Sequence, residues 1–284
     1  MRDPHRRRGR VATTVLIGVV VILYAPLLFL VVASVNSNPS STQWQGFTTT
    51  WYRDAYNDAA LRQAVGVSIR LAIIASVVSV AVGTIGAVAA RKSRWLRGVN
   101  TVLATVRIGT PVIIIATGIA SILPVLDIAF GFRPMAIAHI AYLSAYVMLI
   151  VGARAAGADP LLEDAALDLG AGPWRVLRRI VLPDLKPAII SSALLTLAFS
   201  FDDVALSLAL RGPTDTTVPI YVFSAVRRRV TPSIHAIGVA IMIVGVTMFL
   251  AANLVNSALA SNDDRRRRRN QTKVQGRQSV PIRR

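Results

Sequence analysis

The chain of 284 residues contains no cysteine, so disulfides, thiol nucleophiles and thiolate metal sites are all excluded. Its three histidines, His5, His139 and His235, are scattered and form no motif with metal-ligand spacing. A lone histidine in an apolar stretch, such as His139, reads as a hydrogen-bonded packing residue rather than a ligand. Acidic side chains are scarce, 14 against 32 lysines and arginines. No GxxxxGK[ST] phosphate cradle occurs, which excludes ATP hydrolysis by this chain. Neither a GxSxG elbow nor an HExxH pair is present, and no carboxylate pair in a soluble cleft supports an enzyme. No cofactor is implied.

Apolar residues fill the space that these absences leave. They make up 54% of the chain, with a mean hydropathy of +0.55. They come in blocks long enough to cross a bilayer, about 20 residues each. The first, Val11 to Val35, is too long for a signal peptide, whose apolar core is about 7–15 residues, and reads as an uncleaved span. Five more follow: Ala64 to Ala90, Val99 to Leu123 interrupted by Pro111, Met135 to Val151, Pro187 to Leu210, and Ile234 to Ala260. The expected fold is all-α, a polytopic membrane protein with six transmembrane helices. Residues 1–10 are a basic terminus, 11–260 the six-span domain, 153–186 a charged insert, and 261–284 a basic tail without apolar period that is expected to be disordered. The polar stretch Asn36 to Gln63 reads as a loop with some helix near Tyr52 to Gln63, and Arg211 to Pro232 as a second loop.

The net charge of +18 does not indicate nucleic acid, because the basic residues sit beside apolar blocks. Placing both termini in the cytoplasm puts there the basic residues of 1–10, of Arg91 to Arg97, of the insert and of the tail. The opposite side then holds only Arg53, Arg62, Arg133, Arg211 and Arg227 to Arg229. That asymmetry predicts a multi-pass cell-membrane protein with cytoplasmic termini. The Arg227 to Arg229 triplet is a mild violation. Arg265 to Arg269 suits anionic lipid head groups. Gly83, Gly86, Ala87 and Ala90 suit close helix packing.

The insert carries the sharpest pattern. Asp159-Pro160 is a helix start, an N-cap oxygen followed by proline at the first helical position. Glu163 and Asp164 favour the positive end of the helix dipole. Leu162, Ala165, Ala166 and Leu169 recur at helical spacing, and Gly170 to Pro173 breaks the helix. A second helix is expected from about Pro173, carrying Trp174, Leu177 and Ile180 and ending at Pro183. The result is a knob of two short helices, whose small residues Ala165, Ala166 and Gly170 admit a partner closely. An amphipathic helix lying on the membrane is the plainer reading of the same residues.

Asp164-Ala165-Ala166, Gly170, Ile180, Leu182 and Pro183 stand at the offsets of the coupling loop of ATP-binding-cassette (ABC) importer permeases, with Asp164 in place of the usual Glu. The chain resembles that family over about Tyr24 to Leu259. The strings Trp44 to Tyr52, Phe199 to Val204, Gly212-Pro213, Pro219 to Tyr221 and Val230 to Ser233 are similar to the second permease subunit of spermidine/putrescine importers. The resemblance implies the type I (MetI-like) fold and a role in moving a small solute, a polyamine or alternatively ferric ion, phosphonate or another small ion. It implies four kinds of partner: an ABC ATPase dimer, a second permease subunit, an extracytoplasmic solute-binding protein and membrane lipids. It assigns ATPase coupling to Asp159, Glu163, Asp164, Ala165, Ala166, Asp168, Gly170, Ile180, Leu182 and Pro183.

Asp202 and Asp203 are costly within a span, about 2.5–3.5 kcal/mol on insertion scales. They read either as pathway residues that attract an ammonium group, or as a helix-break cap or a partner of Arg70 or Arg107. Trp44, Trp51, Tyr52 and Phe201 would add cation–π attraction along such a pathway. A gradient-driven secondary transporter would need an ion site built from repeat-related broken helices. A membrane-embedded enzyme would need polar catalytic groups clustered at one interface.

Overall fold

A computed structural model describes residues 4–39, 43–228, 231–247 and 250, and among these there is no strand. The tail 261–284 and the end of the sixth block lie outside the described residues. The helices are α1 (Pro4–Ser34), α2 (Thr50–Asn57), α3 (Ala59–Lys92), α4 (Arg94–Gly109), α5 (Val112–Ile122), α6 (Phe132–Ala156), α7 (Pro160–Asp168), α8 (Pro173–Val176), α9 (Leu182–Asp202), α10 (Ala205–Leu210), α11 (Val218–Arg228) and α12 (Pro232–Thr247). Four stretches are long and apolar enough to cross a membrane: Thr13–Ser34, Ala59–Lys92, Phe132–Ala156 and Pro173–Asp202. Val112–Ile122 and Pro232–Thr247 are shorter apolar helices.

Each apolar block contains helix, but the helices differ from the blocks in their ends and in their breaks. The second block starts five residues early, because Asp58 caps α3 by accepting the Leu61 N–H at 3.0 Å. The third is two helices, since Pro111 supplies no N–H and biases Thr110 towards extended backbone (ψ 121°). The fifth breaks at Asp203, and the polar stretch after it contains α11. Pro183 does not end the insert's second helix, contrary to expectation. A π turn, Leu177–Val181, joins α8 to α9 and makes one continuous run of 30 residues from Pro173 to Asp202. The wider i→i+5 ring is one way to absorb a proline that would otherwise clash with the preceding turn.

The chain divides into two compact units. The larger includes residues 66–217, and α6 is its post. At one end of α6, Met135, Ala136 and Ala138 are buried with Leu71 of α3, Ala116 of α5 and Leu206 and Leu210 of α10. At the other end, Val147, Val151 and Ala155 are buried with Ala87 of α3, Val176, Val181 and Leu185. Between these clusters the helices exchange polar contacts: Ser76 with the Thr196 hydroxyl (2.9 Å) and the Ala193 carbonyl (2.9 Å), and Ser79 with the Ile140 carbonyl (3.1 Å). Gly83 lets α3 approach α6 closely. A Cβ there would stand 2.5 Å from Val147 Cβ. The smaller unit comprises residues 1–65 and 218–245. In it Gly238 of α12 admits Leu30 of α1, and Phe29 meets His235 edge to face at 6.2 Å.

Candidate functional site

The insert folds as its local signals require. Asp159 Oδ1 accepts the Leu161 N–H at 2.9 Å, with Pro160 opening the helix. At the other end the Ala171 N–H reaches the Ala166 carbonyl (3.0 Å) and the Gly170 N–H the Leu167 carbonyl (2.9 Å). These are the two bonds of a Schellman cap, and Gly170 holds its left-handed position at φ +78°. Gly172 caps α8, again followed by proline.

The knob has an inner and an outer face. Val176, Val181 and Leu185 are buried against α3 and α6, with Ala166, Ala171, Leu177 and Ile180 packed beside them. Ala165, Asp164, Asp168, Gly170 and Pro183 are exposed, and Leu182 is half-buried. Leu161, Leu162, Leu169 and Trp174 also lie open, Leu169 at 89% of its full exposure. Ala166 and Ile180 therefore anchor the knob to its own body, whereas Ala165 and Gly170 remain open to a partner.

Two ion pairs complete the attachment. Glu163 of α7 binds Arg91 at the end of α3, with both side chains less than a fifth exposed. Asp184, at the start of α9, binds Arg154 at the end of α6 at 2.7 Å, and both are about two-fifths exposed. Each arginine also lies in or beside the last turn of its helix, where the dipole favours a cation. The knob is thus tied to three long helices: to α9 by the chain, to α3 and α6 by charge.

At the far end of α9 the two aspartates part company. Asp203 turns inward and caps α10, accepting the Ser207 N–H at 2.8 Å and the Leu206 N–H at 3.4 Å. It also lies 3.4 Å from Nε2 of buried His139. Nδ1 of that ring is 3.0 Å from the Ser200 hydroxyl, and Nε2 is 3.2 Å from that of Ser207. This set suits the tautomer with its proton on Nε2, assigned from the neighbours. Asp203 is therefore a helix-break cap held by a histidine; among the described residues it makes no ion pair with Arg70, and the side chain of Arg107 lies outside what is described. Asp202 is exposed, and Phe201 is half-buried. Among the described residues no group of three or more His, Asp or Glu gathers for a metal ion.

Trp44, Trp51 and Tyr52 belong to the smaller unit. The Trp51 indole donates to the Asn36 carbonyl at 2.7 Å, and the Tyr52 hydroxyl meets the Ser34 hydroxyl at 2.7 Å. Both staple α2 to the end of α1, and Asn36 holds the intervening loop through Gln43 and Gln45. Trp44 stands open, at 57% exposure. In the same unit the Tyr221 hydroxyl of α11 donates to Asp58 Oδ2 at 2.5 Å. That bond holds the Asp58 carboxyl below the usual carboxylate range, against the opposing effect of burial. Burial, then the hydrogen bond to Asp58, pushes the Tyr221 phenol up to about 12.

Sequence reasoning missed the clamps Arg91–Glu163 and Arg154–Asp184, the Asp58–Tyr221 tie, and Ser200 and Ser207. For Arg154–Asp184 a signal existed, since Arg154 closes the helix that leads into the insert. For Arg91–Glu163, 72 residues apart, and Asp58–Tyr221, 163 residues apart, there was none.

The profile of a family described as "Binding-protein-dependent transport system inner membrane component" matches residues 82–269. The putrescine transport system permease protein PotI of Escherichia coli (strain K12) is 36% identical over 247 residues, covering 83% of this chain and 87% of that one. The spermidine/putrescine transport system permease protein PotC of the same organism is 32% identical over 236 residues, covering 82% and 89%. Among solved structures, a chain of a bacterial ABC transporter involved in the import of alginate superposes with a TM-score of 0.69 at 16% identity. The match covers 88% of this chain and 96% of that one.

Proposed function

Because the chain belongs to the family of binding-protein-dependent transport system inner membrane components, a transport subunit and not an enzyme, we propose that it translocates polyamines such as putrescine and spermidine for an ATP-driven importer. The two polyamine permeases similar over more than four-fifths of the chain support that cargo. The exposed Asp202 at the end of α9 and the open indole of Trp44 are the side chains suited to an ammonium group. Asp203 positions the helix break beside Asp202.

The observation that carries the coupling role is the clamped knob. Its outer face, Leu161, Leu162, Ala165, Leu169, Gly170 and Trp174, is apolar, small and uncovered. A solvated loop has no use for such a face, and an ATPase subunit fits it. Asp159 and the Gly170 cap fix its shape, while Asp164 and Asp168 lie on its rim for basic groups of the partner. In this reading both termini and the knob are cytoplasmic. A second permease subunit closes the pathway, and a solute-binding protein delivers cargo on the opposite side. Nucleotide-driven closure of an ATPase dimer displaces the knob and biases the bundle between inward and outward access.

The test is uptake of labelled putrescine into proteoliposomes that hold the complete transporter. Wild type requires ATP and the binding protein. Gly170→Val forces a β-branched residue to φ +78° and should reduce uptake at least about tenfold with assembly unchanged. Uptake without any nucleotide-hydrolysing subunit, or normal uptake by Gly170→Val, refutes the lever. Failure of excess putrescine and spermidine to compete refutes the cargo.

A further inference from the structure

A cavity of about 610 Å³ is lined by α3, α4 and the end of α6. Its two walls differ in chemistry. One is a polar stripe of α4: Arg97, Asn100, Thr101 and Thr105, spaced i, i+3, i+4 and i+8 on one helical face. The other is apolar and comes from α3 and α6, with Ala87, Met148, Leu149 and Gly152. The stripe spans about 12 Å along the axis, at 1.5 Å per residue.

The charge at the mouth is positive and unmatched. Arg97 is exposed and donates from Nη2 to the Arg91 carbonyl at 3.3 Å. Among the described residues no carboxylate lies within ion-pair distance of Arg97, Arg94 or Lys92. Arg91 is taken by Glu163. Trp95, at 73% exposure beside these cations, has the amphipathic ring that favours the head-group level of a membrane. A polycationic cargo finds no counter-charge here, so the cavity does not extend the polyamine pathway.

We infer that this cavity binds one anionic phospholipid of the adjoining leaflet, its phosphate at Arg97, an ester oxygen at the Asn100 amide and an acyl chain against Met148 and Leu149. Thr101 and Thr105, whose hydroxyls donate to the Arg97 and Thr101 carbonyls, line the groove beside it. The guanidinium offers a fork to phosphate oxygens, and the stripe places further polar groups deeper. A charged group followed by uncharged polar groups on α4, facing an apolar wall from α3 and α6, matches the groups of a phospholipid and gives a soluble anion no reason to prefer the depth of the cavity. The site is separate from the knob's outer face, and it holds whatever the cargo.

Native mass spectrometry of the complete detergent-purified transporter tests this with dioleoyl phosphatidylglycerol, dioleoyl phosphatidylcholine and glycerol 3-phosphate as probes. Wild type should retain phosphatidylglycerol at least about fivefold more tightly than phosphatidylcholine, the preference expected for one arginine at a membrane surface. Arg97→Ala should abolish the preference and Arg97→Lys should keep part of it. Thr105→Phe leaves every charge in place and puts a bulky ring into the groove where the lipid would lie, so it should also weaken lipid retention severalfold; as an exposed site it keeps the test open if Arg97→Ala fails to assemble. Equal retention of the two lipids overturns the proposal, as does an unchanged preference in Arg97→Ala or unchanged retention in Thr105→Phe. Displacement by glycerol 3-phosphate at the concentration at which the lipid binds shows a phosphate site rather than a lipid site and overturns it as well. None of these readouts involves polyamine uptake, so the failure of either proposal leaves the other standing.

Discussion

Substitution of Gly83 by alanine should be among the most damaging single methyl additions in the chain. The added Cβ would lie 2.5 Å from Val147 Cβ, 2.8 Å from Val147 Cγ1 and 2.8 Å from the Ser144 carbonyl oxygen. Ordinary contacts begin near 3.4 Å. Two of the three obstacles are fixed to the α6 backbone and have no rotamer through which to leave. The helices must separate by several tenths of an ångström or more, which strips contacts from the buried cluster of Ala87, Val147, Val151 and Leu185. Overpacking of this kind costs about 1–3 kcal/mol, and the backbone obstacles place Gly83→Ala near the top of that range. Gly86, one turn on, supplies the control. Its added Cβ meets only Met148, nearest at Cε, 2.8 Å away. A flexible thioether can swing aside, so Gly86→Ala should cost about 1 kcal/mol or less.

Thermal unfolding of the purified transporter in detergent measures the contrast. Gly83→Ala should lower Tm by about 5 °C or more and Gly86→Ala by about 3 °C or less. Val147→Ala should not rescue Gly83→Ala, because the Val147 Cβ remains where it was. Equal losses for the two glycines, or full rescue by Val147→Ala, would refute the reasoning that immovable atoms decide the cost.

The two clamps should differ in strength. Reversing Arg91–Glu163 by Arg91→Glu or Glu163→Arg alone should destabilise by about 1–3 kcal/mol and lower uptake, with partial recovery in the double swap. The more exposed Arg154–Asp184 pair should be worth about 0–1 kcal/mol in the same double-mutant cycle. The Asp58–Tyr221 tie should depend on pH in both directions. Asp58 is depressed, so its contribution is present above about pH 3.9 and is lost as pH falls through its folded value. Tyr221 is raised, so its contribution is full below about pH 10 and is lost as pH rises through about 12. Hydrogen exchange of α2 and α11 should therefore stay slow to lower pH in wild type than in Tyr221→Phe; identical acid profiles would sink that prediction.

What could be read from the sequence was whatever local chemistry fixes within a turn or two. Asp159 before Pro160, and Gly170 four residues after Ala166, specify a cap at each end of α7 by themselves, and both form as expected. Pro111 divides the third block for the same kind of reason. Pro183 misled because a proline's local preference competes with burial. Val176, Val181 and Leu185 must all reach the α3–α6 surface, and a π turn satisfies them while keeping the helix whole. The Asp202-Asp203 pair was ambiguous because neighbouring residues on a helix end point in different directions. Only the presence of His139, more than 60 residues earlier, selects which of them turns inward. Packing of helices that are apolar on every side leaves no periodic signal from which such a pair could be inferred.

The same continuity explains how a displacement at the knob would be carried. From Pro173 to Asp202 the chain is one helical run of 30 residues, about 45 Å at 1.5 Å per residue, long enough to cross the bilayer. It begins in the knob and ends at the break that Asp203 and His139 hold. A helix resists axial load well, so the compliant points are the wide π turn at one end and the unwound step at Asp203–Val204 at the other. Under such a load the more exposed Arg154–Asp184 pair would give way before the more buried Arg91–Glu163 pair, which ties α7 to α3. In the proposed lever, motion of the knob would reach α9 through the chain and α3 through the Arg91–Glu163 pair. The close α3–α6 contact at Gly83 lies along that route, so a single methyl group placed there should harm transport as well as stability.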